Sequence, residues 1–375
     1  MKAQVLKPTR ENLKTVADAL LEDSVIGMPT ETVYGLAGRA QSPEALAKIF
    51  ATKERPTFDP LIIHVSPKMG NLVVKDLNSL AQLKLIDLSK ISPSQKTVLE
   101  KLISAFWPGP MTLILPKHQD VPDLATSGLS TVGIRMPAHP VAQALIELAG
   151  CPLAAPSANR FGRISPTTAQ AVANELGDRI ELILDGGPCG VGVESTIVGL
   201  RANSDELQIF RPGGLAPEKI EALLGQSVHW KPAANSSPLV EAPGMLESHY
   251  APTQPLVLLP KPVEELRLSD VGPILERLEK IPDHLPLAAL YMKGDPQELD
   301  QKLGKLFNRI ILGRSLSKQG DLNEAAQHLF HEMRELEALQ TPVILAETCK
   351  ISTGLGFAIA DRLRRASAPR TTHNS

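Results

Sequence analysis

The chain has 375 residues, of which 43% are hydrophobic and 21% are charged, and its formal net charge is −2. This length predicts more than one domain, and the composition is typical of a soluble globular protein. Because it has no run of about eighteen apolar residues, the chain is not expected to cross a membrane. The near-neutral charge and an aromatic content of 3% disfavour tight nucleic-acid binding, which relies on basic and stacking side chains.

The N-terminus and the cysteines bear on the cellular compartment. Residues 1–11 are mixed and polar, unlike a secretion signal. Cys151, Cys189 and Cys349 lie far apart and match no disulfide or metal spacing. We therefore expect a protein of the reducing cytoplasm.

The first predicted elements surround a turn rich in hydroxyl groups. Residues 9–23 have the apolar spacing of an amphipathic helix, and residues 25–28 form a short apolar strand. The turn follows this strand. Ser42 and Pro43 then predict the start of a helix that ends near Lys53.

Hydroxyls and cations flank the next apolar strand, residues 61–65, and the strand before it. Two hydroxyls and two cations on loops between buried strands fit a phosphate or carboxylate site. The alternative is a solvated loop with ordinary surface charges. The residues concerned are Thr30, Thr32, Lys53 and Arg55.

Short strands and helices continue to about residue 225. Helices are predicted at residues 94–106, 140–150 and 167–177, and strands at residues 111–115, 131–136, 152–159, 181–184, 194–200 and 207–210. Strands outnumber helices, and many are short and purely apolar. This pattern favours a mixed α/β domain, residues 1–225, around a twisted sheet.

The remainder divides into a linker and a second domain. Residues 226–254 lose their apolar periodicity and predict a linker. Strand and helix patterns alternate over residues 255–366, which indicates a smaller, three-layer, mostly parallel α/β domain of Rossmann-like type. Residues 367–375 are polar and predict a disordered tail.

Polar residues recur at the ends of the apolar strands of the first domain. Ligand sites of α/β sheets form at such ends. Familiar phosphate-loop and hydrolase-elbow motifs do not occur in the sequence. The recurring set is Thr30, Thr32, Lys53, Arg55, Thr131, Arg135, Ser157, Asn159, Ser195 and Arg211.

All of these residues except Thr131 lie in short motifs whose order and spacing resemble the YrdC-type threonylcarbamoyl-AMP synthases, and the linker and second domain are similar to the long, two-domain form of that family. The motifs are PTETVYG from Pro29, KERP from Lys53, PLIIH from Pro60, WPGP from Trp107, GIR from Gly133, PSAN from Pro156, EST from Glu194 and RPG from Arg211. The resemblance implies a YrdC-like mixed twisted-sheet fold for residues 1–225. It also implies that the linker closes over the active site.

The resemblance further implies a nucleotidyltransferase. L-threonine, bicarbonate and ATP, the last with Mg²⁺, would give threonylcarbamoyl-AMP and pyrophosphate. The product would pass to the threonylcarbamoyl transferase machinery that modifies tRNA beside the anticodon, with weak or no direct nucleic-acid binding by this chain. No carboxylate cage for a metal is evident from the sequence.

The resemblance assigns roles to individual residues. Lys53 and Arg55 would be catalytic. L-threonine would be bound by Thr32, His64, Arg135, Ala155 and Ser195. ATP would be bound by Arg55, Asp59, Thr131, Ser157, Ser165, Arg211 and Tyr250. Asp59 departs from the pattern, because Asn is expected there in many relatives.

Two other functions are considered. A carbamoyltransferase-type maturation protein also uses a YrdC-like domain, but it would require zinc-finger segments, and the chain has no Cys-x-x-Cys motif. An RNA-binding module is disfavoured by the charge balance and by the scarcity of aromatic residues.

Overall fold

The chain divides into two units that do not coincide with two continuous segments. In the computed structural model, residues 2–200, 206–230, 249–349 and 353–369 are described. The first unit comprises Met1–Phe161 and Ser165–Leu246, and the second comprises Gly162–Ile164 and Glu247–Ser375. The greater part of the predicted linker, residues 231–248, lies outside the described residues, as does the end of the predicted tail, residues 370–375.

A mixed sheet organises the first unit. Its eleven described strands have the order β1-β10-β2-β3-β9-β4-β8-β7-β11-β12-β13, and β5 and β6 form a separate hairpin. The strands are β1 (Gln4–Leu6), β2 (Ile26–Met28), β3 (Gly35–Arg39), β4 (Ile62–His64), β5 (Lys68–Met69), β6 (Leu72–Val73), β7 (Met111–Pro116), β8 (Thr131–Arg135), β9 (Leu153–Ala154), β10 (Leu182–Leu184), β11 (Thr196–Leu200), β12 (Leu207–Arg211) and β13 (His229–Trp230).

The first two helices of the first unit begin at capping residues. Thr9 accepts a hydrogen bond from the Asn12 N–H at the start of the first helix, and Ser42 accepts one from Ala45 N–H at the start of the second. The predicted helices near residues 9–23, 42–53, 94–106, 140–150 and 167–177 are confirmed. The helices are α1 (Arg10–Leu21), α2 (Pro43–Lys53), α3 (Leu77–Gln82), α4 (Pro93–Phe106), α5 (Asp123–Thr126), α6 (Pro140–Ala149), α7 (Ala169–Leu176) and α8 (Pro217–Leu224).

The central strands have two distinct faces, because successive side chains of a strand point to opposite sides. On one face Ile63, Leu113, Ile134 and Val198 lie side by side in register and are buried in the main core. Residues one position away form the opposite side, which we call the second face. It carries the small apolar cluster of Ile62, Ile114, Ile197 and Phe210 together with His64, Thr112, Gly133 and Arg135.

The second unit is a parallel α/β structure. Its described strands have the order β14-β17-β15-β16, and each neighbouring pair is parallel. This arrangement confirms the parallel fold predicted from the alternating pattern. The elements are β14 (Leu256–Leu258), α9 (Gly272–Leu278), β15 (Leu287–Tyr291), α10 (Pro296–Phe307), β16 (Ile311–Ser315), α11 (Leu322–Ala338), β17 (Ile344–Ala346) and α12 (Gly356–Ala366).

Several elements were not predicted from the sequence. The predicted hydroxyl-rich turn leads into β3, whose sequence GLAGR has no β-branched residue and two glycines, yet which pairs with both β2 and β9. Two residues of the segment predicted as linker form β13, which extends the first sheet beside β12. Within the described part of the chain, the helices are too short or too polar to traverse a lipid bilayer.

Candidate functional site

Arg135 stands at the end of β8 on the second face, and three contacts fix its guanidinium. Nη1 donates to Thr32 Oγ1 at 2.8 Å, and Nε donates to the Gly109 carbonyl at 3.3 Å. Nη2 forms an ion pair with Glu31 Oε1 at 2.6 Å. The side chain is 4% exposed, so its charge lies in a largely dry environment. A guanidinium held this way is suited to a planar anion such as a carboxylate.

The turn before β3 supplies two of these contacts. Thr30 Oγ1 donates to the Val33 carbonyl at 2.6 Å and lies 2.9 Å from Thr32 Oγ1. Thr30 therefore fixes the turn, and Thr32 is presented to Arg135. Sequence reasoning grouped Thr30, Thr32 and Arg135 correctly, and the structure connects them.

His64 lies directly beside Arg135, because β4 and β8 pair in parallel with these two residues in register. Its Nδ1 donates to the Ile62 carbonyl at 3.2 Å. Burial, and then the positive charge of Arg135, lower the pKa of His64 to about 3. The imidazole is therefore neutral at physiological pH and contributes polar atoms without charge.

A third group of polar side chains surrounds Thr112, which lies on the second face. Thr112 Oγ1 lies 2.7 Å from Ser195 Oγ, and Arg211 Nη2 donates to the Ser195 carbonyl at 3.0 Å. The loop before Ser195 is held by Ser165, whose hydroxyl donates to Glu194 at 2.6 Å. Ser195 and Arg211, predicted for different substrates, are thus in direct contact.

Lys53 is almost completely buried and is committed to a loop. Its ammonium donates to the carbonyls of Ser157 and Asn159. Burial first, and Arg55 second, hold its pKa well below its usual range. These contacts fix the loop that carries Ser157. The expected contact of Lys53 with substrate charge stays a prediction.

Arg55 and Asp59 form a buried ion pair at 2.9 Å. Arg55 also donates to the carbonyls of Asp59 and Pro60, at 3.0 and 2.8 Å. The departure at position 59 therefore has a structural consequence, since an Asn there would not neutralise Arg55. Contacts of Arg55 and Asp59 with ATP stay predictions.

Thr131 and Ala155 occupy the same sheet. Thr131 begins β8, and the Ala155 N–H donates to the Ile62 carbonyl at 3.0 Å. Their predicted contacts with ATP and threonine are untested.

Tyr250 belongs to the second unit, whereas the other predicted site residues belong to the first. Its ring is 1% exposed, with the Arg362 and Arg365 guanidinium carbons 5.1 and 4.9 Å from the ring centroid. Phe330 stacks at 5.6 Å. The backbone φ of +65° is a left-handed conformation that a tyrosine rarely adopts. Its contact with ATP stays a prediction.

Two further features of the site were missed from the sequence. Glu31 lies between the two predicted threonines and contacts Arg135, and that position was the available signal. Gly133 lies between Thr131 and Arg135 on the second face. A Cβ there would meet Thr112 and Ile114 at 3.4 Å, so its absence leaves room on the floor of the site.

The carboxylates at the site are engaged by arginines. Glu31 pairs with Arg135, and Asp59 pairs with Arg55. Among the residues that the structure describes, no three His, Cys, Asp or Glu side chains are grouped as metal ligands.

Comparison with known proteins covers both units. The family described as "Telomere recombination" matches residues 18–213, and the family described as "Threonylcarbamoyl-AMP synthase, C-terminal domain" matches residues 215–368. The chain is 37% identical to the threonylcarbamoyl-AMP synthase of Pyrococcus abyssi, over 96% of this chain and 94% of that protein. It is 36% identical to the Bacillus subtilis protein of the same name, over 94% and 92%.

The chain is also similar to a solved structure, Sua5 of P. abyssi in complex with L-threonine, with a TM-score of 0.77 and 35% identity, over 95% of this chain and 94% of that chain.

Proposed function

The chain belongs to the threonylcarbamoyl-AMP synthase family in its two-domain form, and from this we propose that it converts L-threonine, bicarbonate and ATP into threonylcarbamoyl-AMP and pyrophosphate. In this reaction the threonine amine is captured as a carbamate. A carbamate oxygen then attacks the α-phosphate of ATP, and pyrophosphate leaves. The reaction needs positioning and charge neutralisation rather than covalent help from the protein.

The observation that carries the proposal is the fixed guanidinium of Arg135 on the second face. A buried, oriented cation beside the neutral His64 suits the carboxylate of an amino acid. Thr32, which accepts from Arg135, and Ser195, which contacts Thr112 and Arg211, add hydroxyl groups, and Thr112 is the register partner of Arg135.

ATP is assigned to the part of the site that holds Arg55, Thr131, Ser157, Ser165 and Arg211. Arg211 supplies positive charge for the phosphates, Arg55 is oriented by its ion pair with Asp59, and Lys53 positions the Ser157 loop. ATP enters as its magnesium complex, with the ion carried by the phosphates, because Glu31 and Asp59 are already paired. We further propose that residues 226–254 close over the bound reactants, with Tyr250 reaching the nucleotide. Closure protects the carbamate and the mixed anhydride from water.

We also propose that the product is a substrate for the transferase machinery of tRNA modification and that the protein acts in the cytoplasm. The threonyl adduct is delivered as a small molecule, and this chain needs no stable complex with tRNA.

The decisive experiment is pyrophosphate release by the full chain with each substrate omitted in turn. We expect release only when ATP, L-threonine and bicarbonate are all present, because the adenylated species is the carbamate. Equal release after rigorous removal of bicarbonate would contradict the proposal, since it would indicate adenylation of the threonine carboxylate.

A further inference from the structure

The ion pair between Glu31 and Arg135 places a buried negative charge beside the proposed carboxylate site. Glu31 Oε1 lies 2.6 Å from Arg135 Nη2, and the two side chains are 15% and 4% exposed. A lone buried arginine would attract any carboxylate or phosphate. The pair instead is a neutral dipole with one acidic and one basic end.

Both members of the pair keep unused hydrogen-bonding capacity. Arg135 donates two hydrogen bonds, from Nε and Nη1, and among the described residues its Nη2 has an ion-pair partner in Glu31 but no hydrogen-bond acceptor. Glu31 Oε2 is buried and accepts no hydrogen bond from any residue that the structure describes. Leaving a buried carboxylate oxygen without a donor is costly, and a ligand that supplies one removes that cost.

A zwitterionic amino acid has the complementary arrangement of charges. Its carboxylate can accept from the N–H groups of Arg135 that the described part of the chain leaves unused, and its ammonium group is a donor for Glu31. We infer that Glu31 is a specificity-determining residue that accepts the α-ammonium group of the amino acid substrate. The inference rests on the proposed function, which assigns the carboxylate to Arg135, and it concerns binding only.

The substrate class that follows is α-amino acids, as opposed to 2-hydroxy acids and simple carboxylic acids. A 2-hydroxy acid satisfies Arg135 but brings a neutral group to Glu31. It therefore loses a charge-assisted hydrogen bond, whereas the carboxylate contact is unchanged.

The test compares two ligands with two proteins. Calorimetric titration of the full chain would use L-threonine and 2,3-dihydroxybutanoate, in which a hydroxyl replaces the amine. The wild-type chain should bind L-threonine at least about tenfold more tightly than the analogue. Glu31→Gln keeps the size of the side chain but removes its charge, and this variant should reduce the preference for L-threonine at least about tenfold.

The ratio of the two affinities is the proper readout. Removing the charge of Glu31 also makes Arg135 a stronger partner for the carboxylate of either ligand. Because this effect is the same for both ligands, it does not change the ratio of their affinities. Glu44→Gln is the matched control, because Glu44 is largely exposed and its ion pair is with Lys48 at 3.2 Å. It should leave the ratio unchanged.

The outcomes separate this inference from the proposed function. An unchanged ratio in Glu31→Gln, with L-threonine still bound, would overturn the inference alone. A wild-type chain that binds no L-threonine and releases no pyrophosphate would overturn the proposed function. If Glu31→Gln does not fold, the wild-type comparison decides, and equal affinity for the two ligands overturns the inference.

Discussion

Arg135 is the residue on which threonine binding should depend most. Replacing it with Ala removes the guanidinium that we propose binds the ligand carboxylate in a nearly dry site. We expect Arg135→Ala to weaken L-threonine binding by about 2–4 kcal/mol, with a smaller effect on ATP. Calorimetric titration of each ligand measures the two effects.

The control for this variant is Arg39→Ala. Arg39 also forms an ion pair, with Asp23 at 2.7 Å, but its side chain is one-third exposed. Threonine affinity should be unchanged there. If Arg135→Ala binds threonine as tightly as the wild-type chain, Arg135 does not hold the carboxylate.

His64 should make stability depend on pH. Its pKa is about 3 in the folded chain and about 6.5 when unfolded, so only the unfolded state gains its proton between these values. Its contribution to stability is complete above pH 6.5 and is lost as the pH falls toward 3. Between pH 6.5 and 5 the free energy of unfolding should fall by about 2 kcal/mol because of this residue.

Urea unfolding at a series of pH values measures this slope. His64→Gln should flatten it, and the residual slope should include His139, whose pKa is also lowered by partial burial. An identical slope in wild type and His64→Gln would show that the imidazole is not held neutral.

Two glycines of the sheet should respond oppositely to a methyl group. At Gly133 a Cβ meets its neighbours at 3.4 Å or more, an ordinary contact. Gly133→Ala should therefore keep stability within about 1 kcal/mol while weakening ligand binding on the second face. At Gly199 a Cβ would lie 2.9 Å from Ile114 Cβ, and Gly199→Ala should cost about 1–3 kcal/mol.

Thermal unfolding and threonine titration of both variants check this contrast. Unaltered binding by Gly133→Ala would mean that the ligand does not approach the floor of the second face.

The individual site residues show what a single sequence reveals. Motif order predicted Thr32, His64, Arg135 and Ser195, and the structure connects Thr32, His64 and Arg135 through direct contacts or strand register. Glu31 was missed because an acidic residue in a turn is usually solvated. Its pairing partner lies far along the chain and becomes its neighbour only through the sheet.

Helix α12 contacts the ring of Tyr250 through two arginine side chains. The guanidinium groups of Arg362 and Arg365 lie over the nearly buried ring, and Phe330 of α11 stacks against it. We expect Tyr250→Ala to lower the stability of the second unit by about 3 kcal/mol, because both the cation–π contacts and the packing are lost.

Tyr250→Phe is the matched control. The tyrosine hydroxyl is buried and has no hydrogen-bond partner within the described residues, so removing it should change stability by less than about 1 kcal/mol. Thermal unfolding of the full chain compares the two variants. An undiminished melting temperature in Tyr250→Ala would contradict the packing described above.

Elements with local signals were predicted well, and elements defined by pairing were not. Helices with a capping residue and apolar spacing, such as α2 and α4, are specified by residues that are close together in the sequence. Strands β1, β3 and β13 are short, and their existence depends on neighbours distant in sequence. Local propensity carries no information about such partners.

The first unit should retain threonine binding when the remainder is removed. Because β13 belongs to its sheet, the chain is best cut after Trp230 rather than after Gly225. Residues 2–230 contain Thr32, His64, Arg135 and Ser195, so threonine affinity should stay within a few-fold of the full chain. Product should escape faster, because the proposed closing segment is absent.

Equilibrium titration and the dissociation rate of threonylcarbamoyl-AMP measure these two properties separately. Equal product retention by the truncated and full chains would show that residues 226–254 act only as a tether.

Gly162–Ile164 is a part of the second unit that is synthesised before most of the first unit's C-terminal half and before the rest of the second unit. These three residues belong to the second unit, where Arg163 pairs with Glu337 at 2.7 Å and the Ile164 carbonyl accepts from Arg334. The ribosome makes them well before either partner, since α11 is among the last elements translated. The sheet of the first unit can therefore form before Gly162–Ile164 makes its contacts with Arg334 and Glu337. The second unit therefore contains one segment that is synthesised long before the rest of that unit, and we expect its packing to be completed only after α11 has been made.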